Sequence, residues 1–131
     1  MTQNKDLSDL SLLGSNNEFK GLEAFPNKNP NRDYTVTLTT DEFTCLCPKT
    51  GQPDFAEITI SYIPDEKIVE SKSLKLYFQS YRNKGVFHEH AANKILDDIV
   101  EAIHPRWCGV QANFGIRGGI AITVDAEYSK E

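Results

Sequence analysis

The segment Cys47-Pro48-Lys49-Thr50-Gly51-Gln52-Pro53-Asp54 puts a thiol and a carboxylate at the two ends of a short stretch. Its two prolines and one glycine force that stretch out of regular structure. A thiol attacks only as thiolate, and a cation as close in sequence as Lys49 lowers its pKa and raises that fraction. Asp54, returning across the pinned loop, is placed to handle protons. The same cysteine also reads as core filler, and local sequence alone leaves both readings open. Phe87-His88-Glu89-His90 is a second candidate. A carboxylate accepts two hydrogen bonds, which suits the amino-imino edge of a polar heterocycle. Glu89 equally suits the start of a helix, where backbone N–H groups lack partners. The third candidate is Glu70-Ser71-Lys72-Ser73-Leu74-Lys75, in which Ser71 reads as an N-cap and Glu70 suits the helix dipole. Lys72 and Lys75, three apart, read either as a grip for phosphates or as a solvated charged face.

Cys45-x-Cys47 and His88-x-His90 offer the ligand types of zinc. Their spacings do not match the common structural zinc patterns, and a sulfur closed around a metal cannot attack a substrate. No metal is expected. There is no GxGxxG turn and no GxxxxGK[ST], so a nucleotide cofactor needs another cradle. A net charge of −5 argues against binding a nucleic-acid polymer over a broad surface. No apolar run approaches the roughly 18 residues of a membrane span. The polar start, Met1 to Asp6, lacks the apolar stretch of a secretory signal, so a cytoplasmic location is expected. Three cysteines cannot all pair within one chain, and reduced thiols are the expectation there.

The elements that must position these residues begin after an arm at 1–33, rich in Asn, Asp, Ser, Lys and Gly, with apolar residues only in small clusters such as Leu10–Leu13. Residues 34–131 form one domain. Tyr34 to Thr40 and Phe55 to Tyr62 alternate as strands. Leu74, Tyr77, Phe78 and Tyr81 make one apolar face of a helix over 70–82. Ala92, Leu96, Ile99 and Ile103, with Ile95 and Val100, do so over 87–103. Gly85 reads as a C-cap between the helices, and Pro105 stops the second. Arg106 to Phe114 and Gly119 to Val124 read as a hairpin turning at 115–119. The order strand-strand-helix-helix-strand-strand gives an α+β fold with an antiparallel sheet and both helices on one face. A four-stranded sheet leaves two edges open, which predicts an oligomer.

The 47–54 loop, the Glu70–Tyr77 segment, Phe87-His88-Glu89 and Arg117-Gly118-Gly119 together resemble the QueF family, the NADPH-dependent 7-cyano-7-deazaguanine reductases of queuosine biosynthesis. The likeness runs from about Phe25 to Val124 and is to the short, single-module type. It implies a tunnelling fold, related to that of GTP cyclohydrolase I, with two stacked rings of five subunits. It implies that Cys47 attacks the nitrile as nucleophile to give a thioimide and that Asp54 donates protons. His88 and Glu89, with Val69, Glu70 and Ser71, would hold the deazaguanine. Lys72, Lys75 and Arg117 would contact NADPH phosphates. Cys45, on the same strand face as Cys47 but too near in sequence for an unstrained bridge, is expected to pack as a bystander. A zinc-dependent cyclohydrolase and a non-catalytic purine- or pterin-binding module on the same fold are the alternatives.

Overall fold

The computed structural model describes residues 19–130, so Leu10–Leu13 and most of the expected arm lie outside the described residues. Eight elements follow in order: β1 (Ala24–Pro26), β2 (Val36–Leu46), β3 (Pro53–Ile63), β4 (Lys67–Val69), α1 (Ser71–Gln79), α2 (His88–Ile103), β5 (Trp107–Arg117) and β6 (Ile120–Ser129). The four long strands form one antiparallel sheet in the order β2-β3-β5-β6. The expected order of strands and helices is present. What sequence reading missed is the small sheet in which β1 pairs β4, where the arm was expected to be irregular.

The core lies between the helices and one sheet face. Along β3, Asp54, Ala56, Ile58, Ile60 and Tyr62 point inward and alternate with less buried residues, the period-2 pattern of a half-buried strand. From α2, Ala91, Ala92, Ile95, Leu96, Ile99 and Ile103 cover that face. From α1, Leu74 and Tyr77 do so, with Tyr81 beyond its end. Phe43 meets the rings of Phe78, Tyr81 and Phe114 edge-on or tilted, joining α1 to the sheet. Among the described residues no helix is long and apolar enough to cross a membrane.

Local details correct the sequence reading where they bear on the site. Helix α1 ends at Gln79, and the chain unwinds through i→i+3 turns as far as Lys84. Gly85 is no left-handed cap. It bridges to Leu46, whose N–H donates to the Lys84 carbonyl and whose carbonyl accepts from the Val86 N–H. The end of β2 and the approach to α2 are thereby joined. At the other end of α2, His104 takes the left-handed conformation (φ 47°), and Pro105 follows. The β5–β6 turn is tighter than expected: Gly118 and Gly119, both at positive φ, supply the two-residue turn that the strand twist favours.

Two bulges set which side chains face inward. One, between Thr40 and Phe43, switches the buried row of β2 to Phe43 and Cys45. The other, between Phe114 and Arg117, breaks the alternation of β5. Ile116, in step with the buried row, is exposed, and Arg117 turns in instead.

Candidate active site

The loop after β2 is closed by its own backbone. The Cys47 N–H donates to the Gln52 carbonyl (2.8 Å), and the Gly51 N–H donates to the Cys47 carbonyl (2.8 Å). Gly51 sits at φ 74°, a conformation L side chains rarely adopt. The thiol of Cys47 is partly exposed and in no disulfide. Its pKa lies below the ordinary thiol value, first because the Thr50 hydroxyl bonds the sulfur, then because the N–H groups of Thr50 and Lys49 do. Lys49 thus contributes through its backbone, where the sequence reading relied on its ammonium. Desolvation and the Asp54 carboxylate act in the opposite sense, more weakly.

Asp54, the cross-strand partner of Cys45, is 6% exposed at the open end of the inward row of β3. A lone carboxylate there would cost several kcal/mol of desolvation, and an imidazole and a guanidinium stand beside it. His88 Nε2 lies 3.1 Å from Asp54 Oδ2, and Arg117 Nε lies 3.2 Å from Oδ1. His88, 16% exposed, is the first residue of α2, and its ring stacks flat on Phe114 (3.9 Å, 7°). Arg117, 38% exposed, also donates to Gln52 Oε1 (2.9 Å) and to the Pro53 carbonyl. The bulge in β5 therefore delivers a guanidinium to the base of the Cys47 loop. Arg117 was expected among phosphate ligands; in this structure its donors engage Asp54, Gln52 and Pro53. Glu89 is exposed in the first turn of α2, one residue from His88.

The remaining expected residues gather at the start of α1. Val69 ends β4 and is buried, its N–H donating to the Tyr62 hydroxyl (3.2 Å). Glu70, not Ser71, is the N-cap: Oε2 accepts from the Lys72 N–H (2.9 Å) and Oε1 from the Ser73 N–H (2.7 Å). Ser71 is left exposed and lines, with Lys75 and Arg82, a groove of about 250 Å³ between β2 and α1. That groove does not include Cys47. Lys72 opens elsewhere, into a small recess with Phe19, Lys20, Glu23 and Glu70, so the two lysines do not share one face. The Lys72 ammonium is buried without a hydrogen-bond partner among the described residues. No three His, Cys, Asp or Glu side chains among the described residues converge as metal ligands, and His90 packs its ring against Phe87.

The model of the QueF-like protein family matches residues 53–131, which hold Asp54, the α1 start, His88-Glu89 and Arg117. The chain belongs to this family. A relative from Syntrophus aciditrophicus (strain SB), named NADPH-dependent 7-cyano-7-deazaguanine reductase, is 64% identical over 130 residues, covering 98% of this chain and 93% of the relative. A protein of the same name from Bacillus cytotoxicus is 52% identical over 133 residues (96% of this chain, 81% of the relative). Among solved structures, the archaeosine synthase QueF-Like in its apo form superposes with a TM-score of 0.69 at 26% identity, over 74% of this chain and 95% of the other. The α+β tunnelling fold expected for a QueF-family chain is the fold found. Thr50, Gln52, Phe114 and Arg82 were not singled out from sequence. Of these, Thr50 and Gln52 sat inside the motif already quoted, whereas the contact of Phe114 with His88 spans strand and helix and left no local signal.

Proposed function

We propose that this chain reduces the nitrile of 7-cyano-7-deazaguanine to the aminomethyl group, using NADPH, in the cytoplasm and as a step of queuosine (tRNA-modification) biosynthesis. The observation that carries the reading is a partly exposed thiol ringed by hydrogen-bond donors beside a buried, doubly partnered carboxylate, in a chain 64% identical to a protein of that name. Cys47 as thiolate adds to the electrophilic nitrile carbon, and the nitrogen that gains the electron pair takes a proton, giving a thioimide. Covalent capture divides a hard reduction into easier steps. Asp54 is the proton donor, and His88, 3.1 Å away, is placed to resupply it from outside. Arg117 fixes the orientation of Asp54. After the first reduction the sulfur leaves as thiolate, helped by the donors that stabilised it at the start. Glu89 and His88 present acceptor and ring to the heterocycle, and Val69, Glu70 and Ser71 frame it.

NADPH, when bound, supplies hydride, and two equivalents are needed to take a nitrile to an amine. The residues present fit its phosphates: the Lys72 ammonium is a buried donor without a partner among the described residues, costly without an anion, and Lys75 lines a separate groove between β2 and α1. The open edges of β2 and β6, eleven and ten residues long, support assembly into closed rings, two stacked rings of five subunits, in which the Cys47 end and the α1 start of neighbours could complete one site.

The test is intact-mass measurement of the protein mixed with 7-cyano-7-deazaguanine. Without NADPH the mass should rise by one substrate, and Cys47→Ser should abolish the rise. With NADPH the cofactor should be oxidised. Absence of both adduct and oxidation would remove the proposal.

A further inference from the structure

Thiol and carboxylate stand on the two arms of one hairpin: Cys47 follows the end of β2, and Asp54 is the second residue of β3. Gln52 lies between them and touches both sides. Its main-chain carbonyl accepts from the Cys47 N–H (2.8 Å), its own N–H donates to the Thr50 hydroxyl (3.2 Å), and its side-chain Oε1 accepts from Arg117 (2.9 Å). Arg117 spreads its nitrogens over three residues. Nε faces Asp54 Oδ1 (3.2 Å), one terminal nitrogen donates to Gln52, and the other donates to the Pro53 carbonyl. A guanidinium is a rigid planar fork, so groups bonded to its separate nitrogens are held in fixed relation. An ammonium on a flexible stem imposes no such geometry.

We propose that Gln52 is a positioning residue: its main chain holds Cys47 and its side chain holds Arg117, so that one guanidinium sets the nucleophile's loop and the acid relative to each other. The inference rests on the reading of Cys47 as nucleophile and Asp54 as proton donor, and deepens it. Addition to a nitrile uses both groups in one step. As sulfur bonds to carbon, one π pair of the C≡N bond moves onto nitrogen, and that nitrogen takes the Asp54 proton. Misplacing either group by about 1 Å can cost on the order of 10²-fold in rate. Arg117 alone fixes the acid, and Pro53 belongs to the acid's own strand. Gln52 is the residue that carries the fork across to the thiol's loop. The step needs no cofactor, so the role is readable in its absence.

The experiment is the rate of adduct formation with 7-cyano-7-deazaguanine in the absence of NADPH, quenched and read by intact mass over a range of nitrile concentrations. The chains compared are wild type, Gln52→Met, Arg117→Lys and the double variant. Gln52→Met keeps the size and both main-chain bonds of residue 52 and removes only the side-chain acceptor. It should slow the limiting rate about five-fold, the scale of one hydrogen bond at an exposed site. Arg117→Lys keeps the charge but loses the fork, and should slow that rate more than about ten-fold. The double variant should stay within about two-fold of Arg117→Lys, because both changes break the same tie. The nitrile concentration for half the limiting rate should hardly move, since neither side chain holds the heterocycle. An unchanged limiting rate in Gln52→Met, or effects that multiply in the double variant, would overturn the inference. So would an Arg117→Lys chain whose only defect is a raised KM for NADPH, the outcome of a purely phosphate-binding arginine. Should Arg117→Lys fail to fold, as judged by its thermal melt, the rate of Gln52→Met against wild type decides. A wild-type chain that forms no adduct removes the reading of Cys47 and this inference with it, whereas a normal rate in Gln52→Met removes the role of Gln52 alone.

Discussion

Cys45 and Cys47 are the same residue type two positions apart, and the fold gives them opposite chemistry. Cys45 is the last inward side chain of β2, sealed beneath the helices, and burial is the main reason its pKa rises to about 11. Cys47 lies one residue past the strand, and there the same side chain finds a hydroxyl and two N–H groups. Neither difference comes from a neighbouring lysine. Where the ladder stops, backbone donors no longer taken by a partner strand become available to an anion, and that boundary at Leu46 separates packing from reactivity.

The sharpest way to break this comparison is to exchange the two thiols for serine in turn. Cys47→Ser should take nitrile reduction and adduct formation to background while the denaturant midpoint hardly moves; Cys45→Ser should keep the adduct. Next in size, Asp54→Asn should still form the adduct yet turn over some 10²–10⁴-fold more slowly, the usual worth of a positioned acid or base. Normal turnover would place the proton source elsewhere. Cys45→Ser puts a hydroxyl at a fully buried position, and should lower unfolding free energy by about 1–3 kcal/mol in denaturant titrations. Stability should also fall above pH 9. There the unfolded chain ionises its thiols while Cys45 and Cys108 stay neutral up to about 11 and about 12. The slope is at most about 1.4 kcal/mol per pH unit for each thiol. A Cys45→Ala/Cys108→Ala variant should flatten that limb, and an unchanged limb would count against burial as its cause. Smallest, Gly51→Ala should cost about 1 kcal/mol for the left-handed backbone, and it should appear as slower alkylation of Cys47 more than as a lower melting temperature.

The order of long strands and helices was readable because period-2 and period-3.6 patterns are strong over the inward rows of β3 and α2. The loop could be found because two prolines and a glycine punctuate it. What escaped was set by context. The strand at 24–26 is three residues long and, among the described residues, pairs with 67–69 alone, so no local pattern announces it. Glu70 took the cap expected of Ser71 because its longer side chain reaches two N–H groups at once. Arg117 was legible as a motif residue but not as the partner of Asp54, because a bulge changes which neighbours face inward and cannot be counted from alternation. The grouping of Asp54, His88 and Phe114 needs three elements packed together, which single-sequence periodicity does not contain.

Leu46 is tied by both its backbone groups to Lys84 and Val86. Those two bonds place the end of β2, one residue before the sulfur, directly against the chain that leads into His88 and Glu89. Nucleophile and ring-reading residues are thus mounted from one seam, where the strand that ends before Cys47 meets the segment that precedes α2. One residue's two backbone groups therefore set the distance between the thiol's strand and the helix that carries its neighbours.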